Sequence, residues 1–196
     1  MSRTNKSQYA ILGVLGRGPR SGYDIKKLTD QSTRYFWAEN YGNLYPTLKR
    51  LEGEGLVTVE RQPQDGKPDR KVYAITEAGR EVLAAWLRAP TESGTFRNEL
   101  LLKLFFGSQV PLAVNREQLG RYRAAQQALL ETYREIEAWM KTARADHPDA
   151  PFERLTLSYG RHEAEAMVRW CDESLEILES METDREPVAV SQGGHI

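Results

Sequence analysis

The stretch "NLYPTLKRLEGEGLV", Asn43 to Val57, decides the fold. Leu44, Leu48 and Leu51 recur at i, i+4 and i+7, which sets them on one helical face, and Gly53 and Gly55 close the helix. Pro46 fits the first turn, where amides have no intrahelical partner, so the spacing predicts a start near Asn43; a start at Asn40 would distort that turn. The result is a helix with a polar, donor-rich beginning (Asn40, Asn43, Tyr45), charge further on (Lys49, Arg50) and an apolar face.

Its neighbours give it a setting. "SQYAILGVLGRGPRSG" predicts a short apolar helix, about Ser7 to Leu15, stopped by Gly16, Gly18 and Pro19. Ser21 and Asp24 have capping-box-like spacing and predict a second helix from about Gly22 to Asp30. After the opening stretch, Val57 and Val59 alternate with polar residues, and Tyr73 and Ile75 alternate with Val72 and Ala74. With "QPQDGKPD" between them, they predict a two-stranded hairpin. Thr76 is placed to cap a fourth helix, about Glu77 to Leu87. Three helices, a hairpin and a helix make the order of a winged helix-turn-helix.

That order gives the opening helix a purpose. In such modules the second of the paired helices enters the major groove with its N-terminal residues against base edges, while the opposite face holds the core. The expected DNA contacts are Ser21, Tyr23, Asn40, Tyr41, Asn43, Tyr45, Pro46, Lys49 and Arg50, with Lys67, Arg70 and Lys71 bringing positive charge to the wing. The plain alternative is a solvated helix face and an ordinary turn.

"GYDI" at Gly22–Ile25, "NLYPTLKRLEGEGLV", "GKPDRKVYAITEAGREVLAAWL" at Gly66–Leu87 and "FRNELLLKLFFG" at Phe96–Gly107 closely resemble the PadR family of bacterial transcriptional regulators. The likeness is to the longer form, with a virulence-activator-like helical C-terminal domain, and extends to about Met181. It implies a dimeric, usually repressive regulator that binds double-stranded DNA at an inverted-repeat operator. The family's recognition helix falls on 40–52 and its wing on 61–71.

The expected organisation is mainly α with a small β-hairpin wing: a winged helix-turn-helix over 1–90, a helical dimerisation and effector domain over 91–182, and a disordered tail over 183–196. "RADHPDAP", Arg144–Pro151, breaks the second half into two long helices. In the first of them Leu119, Tyr122, Gln126, Leu129, Tyr133, Ile136 and Met140 step by 3 and 4, a heptad seam able to take a partner helix. The second helix, about Phe152 to Met181, carries Leu155, Tyr159, Met167, Trp170, Cys171, Leu175 and Leu178. Burial against a second copy is expected at Leu119, Tyr122, Leu129, Tyr133, Ile136, Met140, Tyr159, Met167, Trp170 and Leu178, with a closed intrachain bundle as the alternative. A dimer of this kind would set two recognition helices about 34 Å apart, one turn of DNA.

Composition narrows the rest. The 196 residues carry a net charge of −1, which divides into 15 Lys+Arg against 10 Asp+Glu over 1–90 and 12 against 18 over 91–196. The N-terminal half is the place for an anionic partner. No apolar run reaches the roughly 18 residues of a membrane span and the start lacks a signal-peptide pattern, so a cytoplasmic protein without membrane contact is expected. Cys171 is the single cysteine and the three histidines are scattered, so neither metal nor cofactor is expected. His162-Glu163 begins like a zinc helix, but Ala166 stands where the second ligand would be. No nucleophile and base pair can be assembled, which argues against an enzyme.

Trp86, Trp139, Trp170, Phe105, Phe106, Tyr133 and Tyr159 read first as core and interface; the alternative is a pocket for an aromatic or apolar small-molecule effector. A winged-helix protein-interaction module without specific DNA binding is the other functional class left open.

Overall fold

The computed structural model describes residues 6–37, 43–64, 67–92 and 97–183. The chain divides into two compact units, Met1–Gly94 and Thr95–Ile196.

In the first unit, α1 (Ser7–Gly16) buries Ile11, Leu12 and Leu15, and α2 (Gly22–Ser32) buries Ile25. α3 (Leu44–Gly53) presents Leu44, Leu48 and Leu51 to the same core, which Val57, Tyr73 and Ile75 complete from the sheet. Each fully buried leucine contributes about 1.5–3 kcal/mol of transfer free energy, so this face, not intrinsic propensity, holds a helix of 10 residues in place.

Local chemistry fixes the ends. Asn43 stands at the N-cap of α3 and Pro46 in its first turn, as the spacing predicts. The helix runs through Gly53. Gly55 adopts φ 71°, and the Leu56 amide donates to the Leu51 carbonyl at 2.9 Å while the Gly55 amide donates to the Glu52 carbonyl at 3.0 Å. That is a Schellman closure, which needs the left-handed residue that glycine supplies without strain. α2 opens on a full capping box, and the Thr76 hydroxyl accepts from the Gly79 amide at 3.1 Å to start α4 (Glu77–Arg88).

The hairpin is β2 (Val57–Gln64) and β3 (Lys67–Ile75), antiparallel from Val57↔Ile75 to Arg61↔Lys71, with an irregularity beyond Gln62. The hairpin is part of a three-stranded sheet. Arg20–Ser21, between the first two helices, pair with Tyr73 and Val72 as a further strand, β1, on the other edge of β3. Two residues carry no periodicity, so the pairing had no sequence signal.

The second unit holds α5 (Glu99–Phe105), α6 (Leu112–Ala143) and α7 (Ala150–Thr183). α5 is an addition to the elements that the sequence predicts; the Asn98 side chain caps it by accepting from the Leu101 amide. α6 and α7 form an antiparallel hairpin, pinned at its ends by the Arg116–Glu182 and Arg144–Glu153 ion pairs and between them by Arg123–Asp172.

This hairpin takes up part of the expected dimer seam within one chain. Leu119, Tyr133 and Met140 are buried within one chain, because the short connection after Ala143 returns α7 along the stripe meant for a partner. Tyr133 lies against Gly160, where a β-carbon would stand 2.6 Å from its hydroxyl. Tyr122 meets Trp170 edge-on with ring centroids 6.4 Å apart, and Leu129, Ile136, Met167 and Leu178 are half-buried. Tyr159 is exposed, on a face it shares with Phe152 and Leu155.

Candidate nucleic-acid interface

The N-terminus of α2, the outer face of α3 and the two wing strands enclose a cleft of about 790 Å³. Strand alternation makes its chemistry. On β2, Val57, Val59 and Arg61 share a face, and on β3 Ile75, Tyr73 and Lys71 share the face opposite them in register. Walking outward, the cross-strand pairs change from Val57↔Ile75 in the core, through Val59↔Tyr73, to Arg61↔Lys71. Like charges placed directly across a sheet repel, and Asp69, on the same face of β3 as Lys71, lines the cleft with them.

α3 supplies the opposite wall with Tyr45, Lys49 and Glu52. Tyr45 is 62% exposed and Tyr23, from α2, 70% exposed, large aromatic faces left in solvent beside cations. Lys49, Arg61 and Lys71 are exposed and hold no ion pair among the described residues. The Tyr73 phenol is buried and its pKa is pushed up, first by burial and then by the Glu52 carboxylate nearby.

Several expected contacts are engaged within the chain. Ser21 is buried, its hydroxyl donating to Asp24 Oδ2 at 2.7 Å and accepting from the Asp24 amide at 3.2 Å, so as a side chain it is a cap and not a free DNA contact. Arg50 donates to Glu54 at 2.7 Å and to Gln8 of α1 at 2.8 Å, which turns it from the cleft toward the first helix. Arg70 donates to Asp24 Oδ2 at 2.6 Å. Asn43 and Pro46 are exposed at the start of α3. Asn40, Tyr41, the side chain of Lys67 and the tail from 184 lie outside the described residues.

The sequence profile described as the transcriptional regulator PadR-like family matches residues 11–85, and that described as virulence activator alpha C-term matches residues 96–179. A probable transcriptional regulator of Mycobacterium tuberculosis is 32% identical over 187 residues, covering 87% of this chain and 96% of its own length. The chain belongs to the PadR-like family of transcriptional regulators.

The negative transcriptional regulator PadR of Bacillus subtilis is 29% identical to this PadR-like chain over 177 residues, covering 88% of it and 97% of the relative. Its crystal structure in complex with operator DNA superposes with a TM-score of 0.77 at 28% identity, over 88% of this chain and 98% of that one. The same relative has also been solved with p-coumaric acid, with a TM-score of 0.72 at 28% identity, again over 88% and 98% of the two chains. The Vibrio cholerae virulence activator AphA superposes with a TM-score of 0.71 at 32% identity, over 89% of this chain and 98% of its own. The protein is thus a winged-helix transcriptional regulator and not an enzyme. No described helix is long and apolar enough to cross a membrane.

Arg61 enters the expected site of this PadR-like regulator only as the first residue of the wing, 61–71, and Tyr73 does not enter it. The signal was available: each continues the period-two pattern of a predicted strand from the core face into the cleft. The tie between Asp24 and Arg70 was not readable, since 46 residues separate them.

Proposed function

We propose that this regulator is a dimeric repressor that binds an inverted-repeat operator, with α3 in the major groove and the wing against the backbone beside it. The observation that carries the reading is the Arg61↔Lys71 pair facing Lys49 across the cleft, three cations that a phosphate backbone would neutralise together. Asn43, Tyr45 and Tyr23 are the groups for base edges and sugars. Phe152, Leu155 and Tyr159, exposed along one face of α7, are the surface for a second copy, with Leu129, Ile136, Met167 and Leu178 beside the seam.

The operator-bound PadR of Bacillus subtilis supports this reading. Its p-coumaric acid complex supports a small aromatic effector, for which the exposed Phe105 and Phe106 rings, edge-on at 5.0 Å, offer an apolar surface. An effector would act by favouring a dimer geometry in which the recognition helices no longer match the half-sites.

The test is fluorescence anisotropy on duplexes tiling the DNA upstream of the protein's own gene, at two salt concentrations and with unrelated competitor. One fragment should survive competition, and Lys49→Ala with Lys71→Ala should reduce the slope of log affinity against log salt by about 2. Equal, weak binding to every fragment would favour a protein-interaction module instead.

A further inference from the structure

Asp24 Oδ2 is shared by three donors from two parts of the first unit. The Ser21 hydroxyl reaches it at 2.7 Å, the Ser21 amide at 3.3 Å and Arg70 Nη2 at 2.6 Å. The first two belong to the capping box of α2, so the carboxylate cannot follow a moving wing without opening that helix. The third anchors the wing. Arg70 lies two residues beyond Val72, the last residue of β3 paired with β1. From there outward β3 has only β2 beside it, and a two-stranded ribbon alone is free to twist and swing.

The ion pair therefore stands where the sheet narrows into the wing. Its side chains are 45% and 31% exposed, too open for the pair to matter much to stability. What it decides is where one positive charge can go. Held by Asp24, Arg70 is neutralised and ties β3 to the start of α2 at the cleft whose lining it shares with Lys49, Arg61 and Lys71. Released, it becomes a mobile cation able to take any phosphate.

We propose that Asp24 is a specificity-determining positioning residue for DNA: by holding Arg70 it fixes the wing for the operator and withholds one cation from non-specific duplex. The inference rests on the operator-binding reading. It assigns Arg70 a role inside the protein, not on the phosphates.

The experiment compares full-length wild type, Asp24→Asn, Arg70→Ala and the double variant. The probes are the upstream fragment that wild type selects and a scrambled duplex of equal length, each across a salt series. The carboxamide of Asp24→Asn can still accept from the Ser21 amide, and circular dichroism with thermal melting reports whether α2 is kept. Asp24→Asn should bind the scrambled duplex several-fold more tightly and steepen its salt slope by about 1, while operator affinity stays level or falls. In the Arg70→Ala background the same substitution should add nothing to the slope. An unchanged ratio of operator to scrambled affinity overturns the proposal, and so does an equal effect of Asp24→Asn with and without Arg70. Should Asp24→Asn melt early, Arg70→Ala alone decides: an unchanged wild-type salt slope supports the proposal, and a slope reduced by about 1 overturns it. If wild type selects no fragment, the operator reading itself has failed and the proposal falls with it.

Discussion

The ring of Tyr45 on α3 lies over the backbone of Gly22 on α2, so close that a β-carbon on the glycine would stand 2.7 Å from Tyr45 Cε1. Gly22 opens α2, where alanine favours the helix, and Tyr45 is exposed enough to swing aside. Gly22→Ala should thus leave stability within about 0.5 kcal/mol of wild type while displacing Tyr45 from the cleft. Anisotropy on the selected duplex should show a several-fold loss of affinity without a lowered melting temperature. Unchanged affinity would remove Tyr45 from the interface.

Gly79 presents the opposite case. A β-carbon there would stand 2.2 Å from the carbonyl oxygen of Leu56, which is backbone and already accepts from the Thr76 amide at 3.1 Å. Nothing flexible can yield, so Gly79→Ala should cost about 1–3 kcal/mol, read as a lowered urea midpoint. A midpoint equal to wild type would mean that α4 can shift freely on the sheet.

The carboxyl of Asp24 is held below the usual carboxylate range, chiefly by the Ser21 hydroxyl, with burial acting against it and the Arg70 guanidinium with it. Because its folded-state pKa lies below the unfolded one, its contribution to stability is complete near neutrality. It is lost as pH falls below about 4, toward the folded value. Ser21→Ala should raise that pKa in an NMR titration and cost about 1 kcal/mol through the lost cap. A pKa that stays put would assign the shift to Arg70.

Cys171 is fully buried, and its thiol is pushed up by burial first and by the Asp172 carboxylate next, against the opposing pull of Arg123. It should resist a thiol-specific reagent in the native protein and react completely in denaturant. Rapid native labelling would show that the α6–α7 hairpin opens readily.

The two kinds of apolar residue on that hairpin should separate on substitution. Leu119→Ala removes a side chain buried in one chain and should lower stability by about 2–5 kcal/mol. Leu155→Ser, on the exposed face of α7, should leave the melting transition of an isolated chain near wild type and shift sedimentation toward monomer. A dimer unaffected by changes at Leu155 and Tyr159 would place the interface elsewhere.

The sequence by itself determined most of the first unit. Ser21 with Asp24, Pro46 beside Asn43, Gly55 and Thr76 are local signals, each acting on amides or carbonyls within a few residues, so spacing alone carries them. Leu44, Leu48 and Leu51 gave the buried face of α3, because helical period depends only on neighbours along the chain.

Tertiary structure decided the rest, wherever two partners far apart compete for one group. The heptad pattern from Leu119 to Met140 promises a helix to pack against, but not whose helix, and the short turn after Ala143 gave Leu119, Tyr133 and Met140 to the chain's own α7. Likewise Arg50 and Arg70 read as free cations, while folding brought Gln8 within reach of one and Asp24 within reach of the other. A charge in a sequence has no address until the chain closes, and the nearest acceptor in space decides whether it meets solvent, protein or DNA.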